Sequence, residues 1–501
     1  MSGNEVDTLA VPATFDSVDP RNGELVAMYP IQQLHDVRDT VEQARADTDW
    51  WSGLSFAGRT RRLTKWRQLI LNRFDELADL VSRETGKPSA DARIEVVLGV
   101  DHLHWATKNA KRVLRRRHVA PGMLMFNHVA TVEYQPYGVV GVIGPWNYPV
   151  FTPMGSIAYA LAAGNTVVFK PSEYTTRVGQ WLVDTFVESL GDEGMHRTPL
   201  RLITGNGITG AALCRSGIDK LAFTGSTATA RRVMGACAES LTPVLMECGG
   251  KDALLVDSTA NLKSAADAVV WGALANAGQT CVGVERVYVA DAVAEEFISM
   301  VCDHVASLRI GGDTSADIGP ITMPSQIDII ERHINDGVAA GGQPLVGGSS
   351  SVRPPYVSPV VLVDVPEDAS AVTEETFGPV IIINRVPSLD VAVARTNASR
   401  YGLGATVFSR RNGNRAARSL RVGMVGINSI LPYVAMPSLP FGGVGNSGFG
   451  RIHGADGLRE FAMPKSVARK VLPAAMNPTS FNRPFWTVRA LVSLTKSLYR
   501  W

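Results

Sequence analysis

A single cysteine, Cys281, stands at the centre of the polar stretch NAGQTCVGVER. On its own a cysteine is most often a small buried hydrophobe. As a nucleophile it needs more, because a thiol of pKa about 8.5 is only a few per cent ionised at neutral pH and its adduct's oxyanion must be stabilised. None of the nine histidines falls in a glycine-punctuated strand-end motif, so a cysteine–histidine hydrolase has little support. Glutamate is the better base. Glu247 follows the apolar run PVLM and precedes Cys248, Gly249 and Gly250, a position where desolvation would raise its pKa towards that of a general base. Asn147 follows Trp146 in GPWNYP, between Pro145 and Pro149, and is either a turn residue or a side-chain oxyanion donor.

Other residues could hold a phosphate or a sugar. Gly225 and Ser226 precede a helical stretch and could offer backbone N–H groups to a pyrophosphate, although the motif is not GxGxxG and is weak alone. In the run KPSE, Lys170 and Glu173 flank Ser172; they could straddle a ribose or form an ordinary surface pair.

These residues need elements to position them. Short apolar runs separated by helical stretches begin after residue 130, the signature of βαβ units and a parallel sheet. Strands are predicted near 139–143 (ending at Ile143), 166–169, 221–223 and 244–246, and the candidate residues follow each strand end, where ligands bind in open α/β sheets. Helices fit between them at 152–163, closed by Gly164, and at 175–190. Upstream, one helical stretch runs from about 57 to a C-cap at Gly86. Downstream, a helix near 263–276 leads to Cys281, strands are predicted near 360–364, 380–386, 404–409 and 423–427, and GGQPLVGGSSSVRPP reads as a surface loop. A segment near 460–475 could pair with 128–136 as an exposed β-flap.

Composition bounds the rest. The 501 residues are 45% hydrophobic and 19% charged, enough for two or three domains. A net charge of +2 gives no global electrostatic case for a nucleic-acid partner. Five cysteines without paired spacing or CxxC motifs point to a reducing compartment and to no metal site. The first residues lack a basic and apolar secretory leader, and no run of about 18 apolar residues occurs, so a cytoplasmic protein is expected.

Taken in order, PWNYP at 145–149, KPSE at 170–173, FTGST at 223–227, ECGGK at 247–251, GQTC at 278–281, ETFGPV at 375–380 and PFGG with SGFGR at 440–451 resemble the aldehyde dehydrogenase superfamily across residues 20–465. The resemblance implies an α/β chain. A Rossmann-like NAD-binding domain would span 1–126 and 138–248, an α/β catalytic domain 249–440, and a small β oligomerisation flap 127–137 and 460–476. It also implies Cys281 as nucleophile, Glu247 as the base that activates water, and Asn147 as oxyanion donor beside the Cys281 N–H. Lys170 and Glu173 would hold the adenosine ribose, Ser226 the pyrophosphate and Glu375 the nicotinamide ribose. Phe377 would pack near the nicotinamide, and Ile143, Pro145, Trp146, Ser172, Gly225 and Gly249 complete the cofactor set. The implied reaction is oxidation of an aldehyde to its acid with NAD, NADP being disfavoured by Glu173, in a homodimer or homotetramer. Succinate-semialdehyde oxidation and CoA-acylating chemistry are alternatives on the same fold. A silent nucleotide-binding structural protein would have lost Cys281, Glu247 or Asn147, and all three are present.

Three positions depart from the family pattern: Cys248 for leucine, Ala230 for glycine and Gly445 for lysine. The tail 477–501 lies beyond the common core. As a helix after Pro484 it places Val488, Leu491, Val492, Thr495, Leu498 and Tyr499 on one face and Arg489, Ser493, Lys496 and Arg500 on another. That face either packs on the protein or a partner subunit, or makes a peripheral membrane contact.

Overall fold

Runs such as TVVFK are apolar at consecutive positions rather than alternate ones, the pattern of a strand covered on both faces. All five residues of Thr166–Lys170 are buried. In the computed structural model, which describes residues 13–313, 315–473, 477 and 479–500, this strand lies in a six-stranded sheet. The order across the sheet is Gly448–Phe449, Val244–Cys248, Lys220–Gly225, Val139–Ile143, Thr166–Lys170 and Leu200–Leu202, parallel except for Gly448–Phe449. The N-terminal stretch read for a secretory leader lies outside the described residues.

A seven-stranded sheet forms the second α/β layer, in the order Gln343–Val346, Val360–Val363, Val380–Val386, Val284–Ala290, Asp252–Val256, Gly404–Phe408 and Met424–Ile427. Only Gln343–Val346 is antiparallel to its neighbour, so the segment read as a surface loop also supplies an edge strand. The two central strands, Asp252–Val256 and Val284–Ala290, are buried throughout and were not among the predicted ones. Charge hid the second of them. Glu285 and Arg286 look wrong for a core strand, but Glu285 accepts a 2.5 Å hydrogen bond from Lys251 Nζ, and Arg286 Nη2 donates to the Lys251 carbonyl at 2.7 Å.

The single helix expected over 57–86 is two, Phe56–Asn72 and Phe74–Thr85, broken at Arg73. Gly86 then stops the second at φ 74°, where a Cβ would collide with Pro320. A hairpin of Thr14–Val18 with Leu25–Pro30 precedes them. Ala462–Lys470 pairs antiparallel with His128–Pro136, and Arg117–Val119 completes this three-stranded flap. Trp486–Leu498 is helical. Among the described residues no helix is long and apolar enough to cross a membrane.

One buried ion pair ties these parts together. Lys87, just past Gly86, donates from Nζ to Glu95 Oε2 at 2.6 Å and to the Asn147 carbonyl at 2.7 Å, with both charged side chains fully covered. Glu95 Oε1 accepts from the N–H groups of Val150 and Phe151, the start of helix Phe151–Ala163. A carboxylate there meets the positive end of the helix. Removing one member strands the other charge in the interior. Lys87→Met should therefore cost about 3–5 kcal/mol of stability, measured by denaturant unfolding; a loss below about 1 kcal/mol would show that the pair is not a structural tie.

Candidate active site

Four parallel strands of the six-stranded sheet, Val139–Ile143, Thr166–Lys170, Lys220–Gly225 and Val244–Cys248, deliver candidate residues at their C-terminal ends. Ile143, Pro145, Trp146 and Asn147 follow the strand Val139–Ile143. Lys170 is the last residue of its own strand, while Ser172 begins the short 3-10 turn Glu173–Thr175. Lys170 is buried, which removes the surface-pair reading: its Nζ donates to the Pro171 carbonyl at 2.9 Å and lies 3.9 Å from Glu173, and burial lowers its pKa. Gly225 ends its strand, and exposed Ser226 caps helix Thr227–Ala238 by accepting from the Thr229 N–H. The first turn of a helix leaves N–H groups without intrahelical partners, which suits a pyrophosphate. These features fit a dinucleotide.

Glu247 sits inside its strand rather than after it: the parallel neighbour Lys220–Gly225 pairs Thr224 with Glu247, and Gly448–Phe449 returns on the other side to pair Gly448 with Glu247 and Phe449 with Met246. Both carboxylate oxygens are buried without a hydrogen-bond partner among the described residues. Burial pushes the pKa well above the usual carboxylate range, Arg451 opposing and Glu460 reinforcing the shift. Space for the carboxylate comes from Gly442 of PFGG, where a Cβ would stand 2.8 Å from Glu247 Oε1.

The second sheet presents Cys281 across the crevice. After helix Leu262–Leu274, Asn276 and Ala277 take left-handed backbone angles (φ 54° and 55°) and Gly278 follows at 73°. Such angles cost a non-glycine residue about 1–3 kcal/mol and persist only where the surroundings impose them. Here the surroundings are explicit. Asn276 Nδ2 donates to the carbonyls of Asn147 and Gln279, and Gln279 Nε2 donates back to the Asn276 carbonyl. Asn147 Nδ2 donates to the Gln279 carbonyl at 2.9 Å, and Tyr148 Oη pairs with Thr280 Oγ1. The Asn147 amide is thus held against the segment that carries the nucleophile, with a second N–H to spare.

The Cys281 thiol has acidic company. Burial raises its pKa first, then Asp252, Glu247 and Glu375 raise it further. Glu375 caps the glycines of ECGGK, accepting from the Gly250 N–H at 3.0 Å, and a Cβ at Gly249 would collide with its carboxylate. Its own pKa is pushed up to about 8 by burial and then by Glu285. Phe377, at φ 51°, stands edge-on to Trp146 with ring centroids 5.4 Å apart, so the two cofactor candidates from opposite sheets meet. Glu285 fixes this stretch by accepting from the N–H groups of Thr376 and Phe377.

Several partners carry no local sequence signal. Lys87, Glu95, Asn276, Gln279 and Asp252 act through long-range contacts, and only Asn276, Gln279 and Asp252 touch a quoted motif. The departures also find places. Cys248 is buried among Phe223 and Met246, and Ala230 is buried in the same cluster. Gly445 stands at φ 63° opposite Tyr401, and a Cβ there would lie 2.9 Å from the Arg400 carbonyl.

Comparison with known proteins agrees with this architecture. The model of the aldehyde dehydrogenase family matches residues 9–467. A 4,4'-diapolycopene aldehyde oxidase from Methylomonas is 37% identical over 473 residues, covering 93% of this chain and 88% of that protein. Among solved structures, an NAD-dependent aldehyde dehydrogenase from Sinorhizobium meliloti superposes with a TM-score of 0.88 at 31% identity, covering 93% of each chain. An E. coli NADP-dependent enzyme superposes at 0.86 and 30% identity, covering 91% of this chain and 95% of its own. The chain belongs to the aldehyde dehydrogenase family, NAD(P)-dependent oxidoreductases that convert aldehydes to carboxylic acids.

Proposed function

We propose that this chain oxidises an apolar aldehyde to its acid with NAD, using Cys281 as nucleophile, Glu247 as base and Asn147 as oxyanion donor. The observation that carries the reading is the meeting of Asn147 with the Gln279–Cys281 segment, opposite a buried, unpaired Glu247. The Cys281 sulfur attacks the carbonyl carbon and forms a thiohemiacetal. The spare Asn147 N–H and the Cys281 backbone N–H steady the oxygen. NAD, when bound, supplies the hydride acceptor. The resulting thioester is hydrolysed by a water whose proton passes to a Glu247 oxygen, which frees the acid and restores the thiol. A base in this position favours water over CoA as the final acceptor.

Substrate class is read from the surroundings of the thiol. Cys281 packs against the main apolar core, Tyr433 lies within its electrostatic reach, and the charged groups acting on the thiol are acids. Acids and apolar core beside the nucleophile support an apolar chain and oppose the second carboxylate of succinic semialdehyde. The diapolycopene aldehyde oxidase among the relatives is named for an apolar polyene aldehyde. For the cofactor, Glu173 beside Lys170 supports NAD, because a carboxylate facing a 2′-phosphate is repelled. The flap's outer strand Ala462–Lys470 has one paired edge and one open edge, which supports self-association as a dimer or tetramer, and the free cysteines agree with a cytoplasmic setting.

Cys281→Ser should abolish NADH formation from any aldehyde while NAD binding persists, since a hydroxyl with no base against it stays protonated. In the unmodified protein an apolar aldehyde should exceed succinic semialdehyde in kcat/KM by about tenfold or more, the scale of one or two differential contacts. The opposite ranking would reject the substrate class.

The raised Glu247 pKa fixes a sign. Because the carboxyl stays protonated where an ordinary one ionises, its base form appears only as pH rises, so acyl-enzyme hydrolysis should increase with pH through a midpoint above the usual carboxylate range. Glu247→Gln should remove that rise and slow turnover about 10²–10⁴-fold, leaving a burst of NADH. Stopped-flow measurements across pH decide this, and unchanged turnover would remove Glu247 from the mechanism.

With Glu173 intact, kcat/KM should favour NAD over NADP by about tenfold or more, the effect of one close like-charge contact at a partly wet site. Glu173→Gln should narrow the ratio. A native preference for NADP would show that Glu173 does not face the ribose.

A further inference from the structure

Asp252 begins the strand Asp252–Val256 directly after ECGGK, and it is a buried acid that the reaction does not use. Two glycines make room for its carboxyl. A Cβ on Gly250 would stand 2.6 Å from Asp252 Oδ1 and 2.9 Å from the Cys281 carbonyl oxygen, and one on Gly404 would stand 2.6 Å from Asp252 Oδ2 and 2.5 Å from Tyr433 Oη. The carboxyl is therefore bracketed by the backbone of the nucleophile and the Tyr433 hydroxyl. Its hydrogen bonds are half made: Oδ1 accepts the Gly404 N–H at 3.0 Å, while Oδ2 is buried with no partner among the described residues.

The cations nearby are committed elsewhere. Arg286 donates from Nε and Nη2 to the Lys251 carbonyl, and Lys251 Nζ donates to Glu285 and Thr376. An unpaired carboxylate is costly in the interior, and burial moves Asp252 well above the usual carboxylate range, with the Gly404 N–H and Arg286 opposing the shift and Glu285 and Glu375 adding to it. The thiol faces the same enclosure. After burial, Asp252 is the strongest influence on Cys281, ahead of Glu247 and Glu375, and the Val282 N–H acts the other way. Tyr433 and Tyr148 also lie within electrostatic reach of the thiol, and burial keeps both phenols protonated.

We propose that Asp252 is a positioning residue that acts on Cys281 by charge: carboxyl and thiol share one enclosed space, in which a single negative charge is carried by one of them at a time. While Asp252 is the neutral acid, nothing at its position opposes loss of the thiol proton as the carbon–sulfur bond forms. Once Asp252 ionises, a second anion beside it is repelled, and the two groups titrate as a coupled pair. Alkaline pH therefore raises the thiolate less than it would for the same thiol beside a neutral residue. The inference rests on Cys281 as the nucleophile, and its test reads that sulfur directly, without turnover.

Alkylation by iodoacetamide is followed from about pH 6 to about pH 10, with the label assigned to Cys281 by peptide mass spectrometry and Cys281→Ser as the blank. Asp252→Asn keeps an acceptor for the Gly404 N–H and removes the charge. It should alkylate about tenfold faster than the native protein near pH ~9, the effect of taking one like charge from beside the thiol, and at the same rate at the acid end, where Asp252 is neutral. Asp252→Ser, also neutral, should show the same alkaline rise, and thermal unfolding reports whether each variant is folded. A carboxyl that served only to bind the Gly404 N–H would leave the Asn variant alkylating like the native protein. Superimposable pH profiles for native and Asn proteins, or a slower reaction of the Asn variant at alkaline pH, would overturn the proposal. Absence of label at Cys281 in the native protein would overturn both the proposal and the reading of Cys281 as the nucleophile.

Discussion

The buried pair of Lys87 and Glu95 is the constraint on which the active-site geometry rests. Two charges without exposed surface are tolerable only when their remaining hydrogen-bonding capacity is met, and here it is met by the backbone that must be placed: the Asn147 carbonyl, and the Val150 and Phe151 N–H groups. Asn276 donates to the same Asn147 carbonyl. The loop carrying the oxyanion donor and the loop carrying the nucleophile are therefore fastened at one oxygen atom. The Lys251–Glu285 pair does for the Glu375–Phe377 stretch what Lys87–Glu95 does for Asn147. Each sheet thus uses one buried lysine–glutamate pair to hold a loop at the crevice.

Electrostatics at the crevice run against a ready thiolate. Burial and three neighbouring acids keep the Cys281 proton in place, and no lysine or arginine is among the groups that shift it. The same burial keeps Glu247 and Asp252 on the protonated side of their ordinary range. The resting site is a set of weak acids sharing few charges, which a dry crevice tolerates far better than separated ions. Chemistry then depends on a proton leaving the thiol as the carbon–sulfur bond forms.

Part of the backbone strain lies in the same place. Of the eight non-glycine residues at positive φ among the described residues, Asn276 and Ala277 precede Cys281, and Phe377 follows Glu375. The glycines do complementary work by admitting groups where a Cβ would block them: Gly249 for Glu375, Gly442 for Glu247, and Gly278 for the Gly378 carbonyl.

The sequence by itself determined the parallel α/β class, the strand ends carrying Asn147, Lys170, Ser226 and Glu247, and the family, because these depend on local signals: apolar runs with polar residues just past them, and short motifs in a set order. Strand Val139–Ile143 and strand Val380–Val386 coincide with the runs read for them. What only the tertiary structure decided depends on partners far apart in the chain. Val284–Ala290 was illegible as a core strand because Glu285 and Arg286 look solvated until Lys251 is seen beside them. Glu247 stands past the apolar run PVLM yet inside the strand, because Thr224 on one side and the distant Gly448 on the other pair with it. Lys87 and Glu95 carried no motif at all, since a buried ion pair is defined by what excludes water from it. Lys170 and Glu173 could be surface or site until burial of the lysine separated the readings. Periodicity reports which way a side chain faces along its own element; which charge answers it across the fold is settled only when elements distant in sequence are packed together.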